Sequence, residues 1–272
     1  MLRRRVMPGT DYIQFADAAI ASICANAWGG GLQLTYTQAL TVTVLSTNFR
    51  DNSSISSFDE LKYFSSLQTV GYAAFRSCTK LTAITLPDSI TSLSDYAFYR
   101  CSSLPSIDLN NVVTIGQHAL RNCNSLQYVN APNLITIGAS GIRETNLKTL
   151  NAPNLSSIGE YAFYMSKMVD FTLPEAVTEI PYRAISNCYQ LKTLDIAATS
   201  IADGFCERCT ALSTIILRSN IVPTASATYF LLQLPSTCKI YVQDSLVDAY
   251  KSTSPWSNYS SQIYPLSEYS ED

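Results

Sequence analysis

The sequence predicts an α/β repeat solenoid, on three observations. One pattern opens six times between residues 81 and 211, at Leu81, Leu104, Leu126, Leu147, Met168 and Leu191, with intervals of 23, 22, 21, 21 and 23 residues. Within each unit the +3 and +5 positions are apolar, as in Ile84/Leu86, Ile107/Leu109, Val129/Ala131 and Phe171/Leu173. This is the two-residue alternation of a strand with one face inward. Each unit then closes with a small residue and a large one: Ala97-Phe98, Ala119-Leu120, Gly141-Ile142, Ala162-Phe163, Ala184-Ile185. A single unit of this size cannot bury its own apolar face, so the units must stack around a continuous core.

Leu-x-x-Leu-x-Leu spacing at a period of about 20–29 residues is the signature of a leucine-rich repeat array. The expected array has about 7–8 units of 21–23 residues, with a helical N-terminal cap and a strand-helix C-terminal cap. Pro or Asn follows many of the strands (Pro87, Asn110, Pro132, Pro153, Pro174), and proline cannot donate to a ladder. From the opening residue to the Ile or Leu before the second turn, the six units count 12, 11, 11, 11, 12 and 10 residues. The length variation falls in turns, where insertion is tolerated.

Taken in order, residues 1–57 read as tail, helical cap and link, 58–217 as the array, and 218–272 as a C-terminal cap with an acidic tail. Three arginines and Pro8-Gly9, an apolar stretch at 18–25 and Ala25-Asn26-Ala27 outline a secretory signal. Asp11 and Asp17 interrupt it, and Ile13, Phe15, Ala16, Ala19, Ile20 and Ile23 recur at helical spacing, which favours a helix plugging the end of the solenoid. Residues 27–39 outline a calcium loop, yet Ala27, Gly29, Gly31 and Gln38 stand where carboxylates are needed, so a structural turn is expected. Residues 58–80 form a divergent first unit in which Leu61, Leu67, Val70, Phe75 and Cys78 match Ile84, Ile90, Leu93, Phe98 and Cys101. Near the C-terminus, 238–242 is expected as the final strand, followed by a helix at 245–252 capped by Asp244.

With 47% hydrophobic and 14% charged residues the chain is rich enough in apolar side chains to fold, and its net charge of −3 argues against nucleic acid as a partner. No apolar run approaches the ~18 residues of a membrane span. His118, the single histidine, occupies the repeat position of Tyr96 and Tyr161, and no nucleophile motif accompanies it. Cys206 and Cys209 spell C-x-x-C, but Cys209 falls on the recurrent position of Cys78, Cys101, Cys123 and Cys188, and Cys206 on that of Phe98. A buried ladder of reduced thiols acting as small hydrophobes is therefore expected, with no metal, cofactor or catalytic site.

The unit Leu-x-x-Ile-x-Leu-Pro-x-x-Ile-x-x-Leu-x-x-x-Ala-Phe-x-x-Cys-x-x-Leu, from Leu81 to Leu104, resembles the BspA-type leucine-rich repeat. The leading segment at 57–64 and the closing 238–242 and 247–256 resemble the flanks of such arrays, so that the resemblance spans roughly residues 13–266. It implies a surface or secreted protein engaged in adhesion, binding a protein or cell-surface ligand. Similar chains also look like bacteriophage products, which would place such a protein on a virion. The +2 and +4 strand positions form one outward face, including Glu60/Lys62, Ser106/Asp108, Tyr128/Asn130, Thr149/Asn151, Asp170/Thr172 and Thr193/Asp195. Asp108, Tyr128, Asn130, Asn151 and Asp170 are the candidate partner-binding residues, because tyrosine is enriched at binding hot spots and the amides and carboxylates can orient a polar or basic group.

Overall fold

The computed structural model describes residues 11–226 and 230–270. The units contribute strands of two to four residues to a first row and strands of two residues to a second row. The first row runs Ser57–Phe58, Ala83–Ile84, Ser106–Asp108, Tyr128–Asn130, Thr149–Asn151, Asp170–Thr172, Thr193–Ile196, Thr214–Leu217, Lys239–Val242 and Ile263–Pro265. The second begins at Val44–Leu45, then Thr69–Val70, Ser92–Leu93, Thr114–Ile115, Thr136–Ile137 and Ser157–Ile158. Pairing is parallel and in frame: Tyr128 stands beside Ser106 and Thr149, and Phe171 beside Leu194.

Among the described residues no α-helix lies within the repeat units; the closing segment of each is a run of tight turns. Ala74 N–H donates to Gly71, Arg76 to Ala73 and Cys78 to Phe75, at 3.1–3.2 Å. Alternate N–H groups point instead to the next unit, Phe75 to Ala97, Phe98 to Ala119, Leu120 to Gly141 and Phe163 to Ala184, each at 2.8 Å. This third ladder uses left-handed backbone at two positions per unit, as at Tyr96 and Arg100 (φ 60° and 62°) and His118 and Asn122 (55° and 61°). Turns of this kind need positive φ at their third residue. For a residue other than glycine that costs about 1–2 kcal/mol.

The large closing residues stack in register. Phe49, Phe75 and Phe98 lie 5.1 and 5.2 Å apart with nearly parallel rings, all fully buried. Phe49 shows that 41–52 already contributes to the array. The recurrent cysteines are more than small hydrophobes, because each thiol donates to the carbonyl of the large closing residue one unit earlier. Cys78 reaches Phe49, Cys101 Phe75, Cys123 Phe98, Cys188 Phe163 and Cys209 Ile185, at 3.0–3.3 Å. At Phe205-Cys206 the small and large residues change places, and the ring turns toward Phe230, itself 4.6 Å from Trp256 in the C-terminal cap.

Helix α1 spans Ala18–Trp28, later than the apolar spacing predicts. Ile13 and Phe15 precede it in extended chain, and Asp17, which breaks the apolar run, is its N-cap. One Asp17 oxygen accepts from Ala19 and Ile20, the other from Ser56 and Ser57, tying the helix to the first strand. The arginines and Pro8-Gly9 of the secretory-signal reading lie outside the described residues. The glycine-rich turn (Gly30 φ 67°, Gly31 φ 83°) leads into α2, Tyr36–Ala39, closed by a Thr35/Gln38 capping box.

Three expectations need correction. In the divergent first unit the strand is Ser57–Phe58, with Phe58 beside Ile84, so Glu60 and Lys62 lie on a 3-10 turn and not on the strand face. Asp244 does not cap a helix: its carboxylate accepts from Ser267 N–H at 3.0 Å, while α3 begins at Val247 and runs to Ser252. Strand Lys239–Val242 is not the last, because Ile263–Pro265 pairs beside it.

Candidate partner-binding face

The first strand row is not one continuous sheet. Ser106–Asp108, Tyr128–Asn130 and Thr149–Asn151 form a three-stranded panel, with no ladder on either side of it to Ala83–Ile84 or to Asp170–Thr172. The first break has a chemical cause. Lys148 N–H donates to Gln127, Lys192 to Val169 and Ser213 to Lys192, at 2.6–3.0 Å. Pro105 stands at the equivalent position and has no N–H to give to the preceding unit. Both breaks also coincide with a change in the turn that follows the strand, although length alone does not end a ladder, since Asp170–Thr172 pairs with Thr193–Ile196 across units of 12 and 10 residues. Leu109 to Val112, Ala131 to Leu134 and Ala152 to Leu155 share one turn length, whereas Leu86 to Ile90 and Leu173 to Val177 are each one residue longer.

Four of the five candidate residues lie on this panel. Asp108, Asn130 and Asn151 make one register row, with Tyr128 in the other row between Ser106 and Thr149. Asp170 lies across the second break. Tyr128 is 40% exposed, and among the described residues no ion pair involves Asp108 or Asp170. The asparagines are not independent ligands, because Asn151 Nδ2 donates to Asn130 Oδ1 at 2.7 Å and Asn130 Nδ2 to Asn110 Oδ1 at 3.1 Å. This amide ladder joins the row and leaves an amide N–H donor at the Asn110 end and an amide oxygen at the Asn151 end. Beside it Asn111, Asn133 and Asn154 donate to carbonyls one unit earlier, at 2.8 Å, a recurrence after Pro or Asn that the sequence displays without revealing its use. Further along, Asp195 is 6% exposed and held by Arg218, with Nε to Oδ1 at 2.8 Å.

The other sequence candidates resolve as parts of the array. His118 lies on the turn ridge, its ring 4.8 Å from Tyr96; burial, then the Arg121 and Arg143 charges, lower its pKa. Burial pushes the Cys206 thiol well up, which suppresses the thiolate that redox or metal chemistry needs. Among the described residues no group of three or more His, Cys, Asp or Glu side chains is placed to hold a metal ion. No helix among them is long and apolar enough to cross a membrane.

Stacked parallel strands, closing turns and a buried thiol row are the parts of one repeat, and the model of the BspA type leucine rich repeat region matches six copies of it, over residues 46–167 and 136–237. The chain belongs to the BspA-type leucine-rich repeat family. Among solved structures it is similar to a leucine-rich repeat protein from Bacteroides ovatus, at 20% identity and a TM-score of 0.50, covering 65% of this chain and 59% of that one. It therefore spans less than two thirds of that protein's length, and the likeness is one of fold. A leucine rich cell surface protein from Faecalibacterium prausnitzii matches at 17% identity and a TM-score of 0.44, covering 83% of this chain and 76% of that one. The pneumococcal vaccine antigen PcpA matches at 14% and 0.43, covering 83% and 84%. No curated protein matches.

Proposed function

We propose that this BspA-type chain is a non-enzymatic adhesion or binding scaffold, displayed outside the cell, that engages a protein or cell-surface ligand through the panel of Asp108, Tyr128, Asn130 and Asn151, with Asp170 at its margin. One observation carries the reading. The panel presents an exposed tyrosine and, in the neighbouring register row, a carboxylate with no ion-pair partner among the described residues, beside asparagines joined by amide hydrogen bonds. Rigid aromatic anchors with oriented polar neighbours are what binding surfaces use, since little side-chain entropy is lost on contact. The location rests on membership of the BspA-type family, whose resemblance implies a surface or secreted protein.

The test is saturable binding of the labelled full chain to a panel of extracellular-matrix proteins and epithelial cells. The Tyr128→Ala/Asp108→Ala double variant is expected to weaken binding by at least about fivefold, the equivalent of about 1 kcal/mol for a hot spot. Saturable binding that survives the double variant unchanged, or no saturable binding to any member of the panel, would overturn the proposal.

A further inference from the structure

The two breaks that bound the panel also uncover the core. Along the inward +3 row, Ile107, Val129, Phe171, Leu194 and Ile215 are at most 7% exposed. Ile84 and Leu150 are only half-buried. Each stands on the last strand before a break, and each lines a cleft. The first, of ≈ 170 Å³, is lined by Ile84, Leu86 and Leu109 together with the carboxylates of Asp88 and Asp108 and the amide of Asn110. The second, of ≈ 180 Å³, has Leu150, Phe171 and Pro174 in its wall and Asn151 at its rim. A drug-sized ligand takes about 300 Å³ or more. Clefts of this size suit one aliphatic side chain each.

Their separation sets what can fill both. The breaks are three strand spacings apart, and at ~4.8 Å per spacing that is about 14 Å. An extended chain rises ~3.4 Å per residue, so residues i and i+4 are about 14 Å apart and point to the same side. Residue i+2 shares that side and falls over the middle strand at Asn130, the register partner of Asp108 and Asn151, which line the two clefts. The outward positions of the panel are Ser106, Asp108, Tyr128, Asn130, Thr149 and Asn151, which carry one charge, that of Asp108, and no cation. A basic residue at i+2 stands one strand spacing, ~4.8 Å, from that charge and can turn its long side chain to it.

We infer that the partner docks as an extended segment laid across the panel strands, with aliphatic side chains at i and i+4 seated in the two clefts and a lysine or arginine at i+2 against Asp108. This inference rests on the strand-face reading above and adds the recognition pattern. The direction of the segment follows from the slots: a chain laid parallel to the strands reaches only one.

The probes are capped, fluorescein-labelled peptides with Leu-Thr-Lys-Thr-Leu inside a Gly-Ser frame, titrated with the full chain by fluorescence anisotropy. The expected result is binding at least about fivefold tighter than that of same-composition peptides with the leucines two or six residues apart. Lys→Glu in the peptide should weaken binding by a similar factor, and Asp108→Asn in the protein should remove the preference for lysine. Ile84→Thr and Leu150→Thr should each remove the preference for the four-residue spacing, with thermal melting used to verify the fold. If these two variants do not fold, the spacing series and the surface variant Asp108→Asn still decide. Equal affinity across the spacings, indifference to the peptide charge, or no binding up to about 1 mM would overturn the inference. A protein partner lost on Tyr128→Ala/Asp108→Ala, combined with indifference to peptide spacing, sinks only this inference. A partner that ignores the double variant sinks the strand-face reading as well.

Discussion

The strand face and the turn ridge are built from the same repeats and spend their side chains differently. On the ridge, tyrosine and arginine recur and are bound to one another. The Arg143 guanidinium lies 5.1 Å from the Tyr161 ring and 4.5 Å from that of Tyr164, while its Nη2 pairs with Glu144 at 2.9 Å. Arg183 reaches the nearly buried Glu207 at 2.9 Å. On the panel the side chains are short and polar, the single tyrosine has no ring partner among the described residues, and Asp108 has no cation. Residue types typical of hot spots therefore do not by themselves locate a binding surface. The ridge uses them to hold a strained backbone, whereas the panel leaves a few of them open.

The contrast can be broken or sharpened by substitution, from the largest effect down. Phe98→Ala removes a ring stacked on Phe75 beneath the ridge, and should cost about 3–5 kcal/mol in chemical denaturation. A loss below about 1 kcal/mol would show that the ladder does not hold the units together. The same exchange on the two faces should then diverge. Ser77→Val forces a β-branched residue to φ 57° and should cost about 1–3 kcal/mol. Ser106→Val, on an exposed strand position, should stay within about 0.5 kcal/mol. Equal losses would mean that left-handed backbone is not what distinguishes the ridge.

Glu144 sharpens the electrostatic side. Burial raises its pKa, but hydrogen bonds from Arg143 and Asn122 and the charges of Arg121 and Arg143 outweigh this and lower it below the usual carboxylate range. A carboxylate with a depressed folded pKa adds stability above its unfolded pKa, near 4, and loses it as pH falls through the folded value. Glu144→Gln should thus cost about 1 kcal/mol at pH 7. The gap to the parent should narrow as the pH drops below about 4. A gap independent of pH would remove charge from the account. Tyr128→Ala should have the smallest effect, within about 0.5 kcal/mol by thermal unfolding, because its ring supports nothing beneath it. A larger loss would make it a structural residue and weaken the panel as a binding surface.

Much of this was legible before any coordinates. The period, the inward rows, the closing Ala-Phe pair and the recurrent cysteine each follow from spacing, because every unit repeats one local pattern and can bury it only against a neighbour. At the ends the repeat no longer guides the reading, and it misled there. Asp244 reads as a helix cap, and only packing shows its carboxylate turned to Ser267. Glu60 and Lys62 keep strand spacing yet lie on a 3-10 turn, since the chain bends there to let Glu60 accept from Ala16.

The sequence alone determined which residues stack and in what order, since covalent spacing sets which side chains share a face. It also contained the counts 12, 11, 11, 11, 12 and 10 and the proline at 105. What those do to the sheet was decided only in three dimensions. Whether a strand pairs depends on the N–H its neighbour has to offer and on how the two chains lie together, as Pro105 shows at the first break, and that is a property of two units side by side. The panel, the two clefts and the half-buried Ile84 and Leu150 belong to pairs of neighbouring units, and no single repeat contains them.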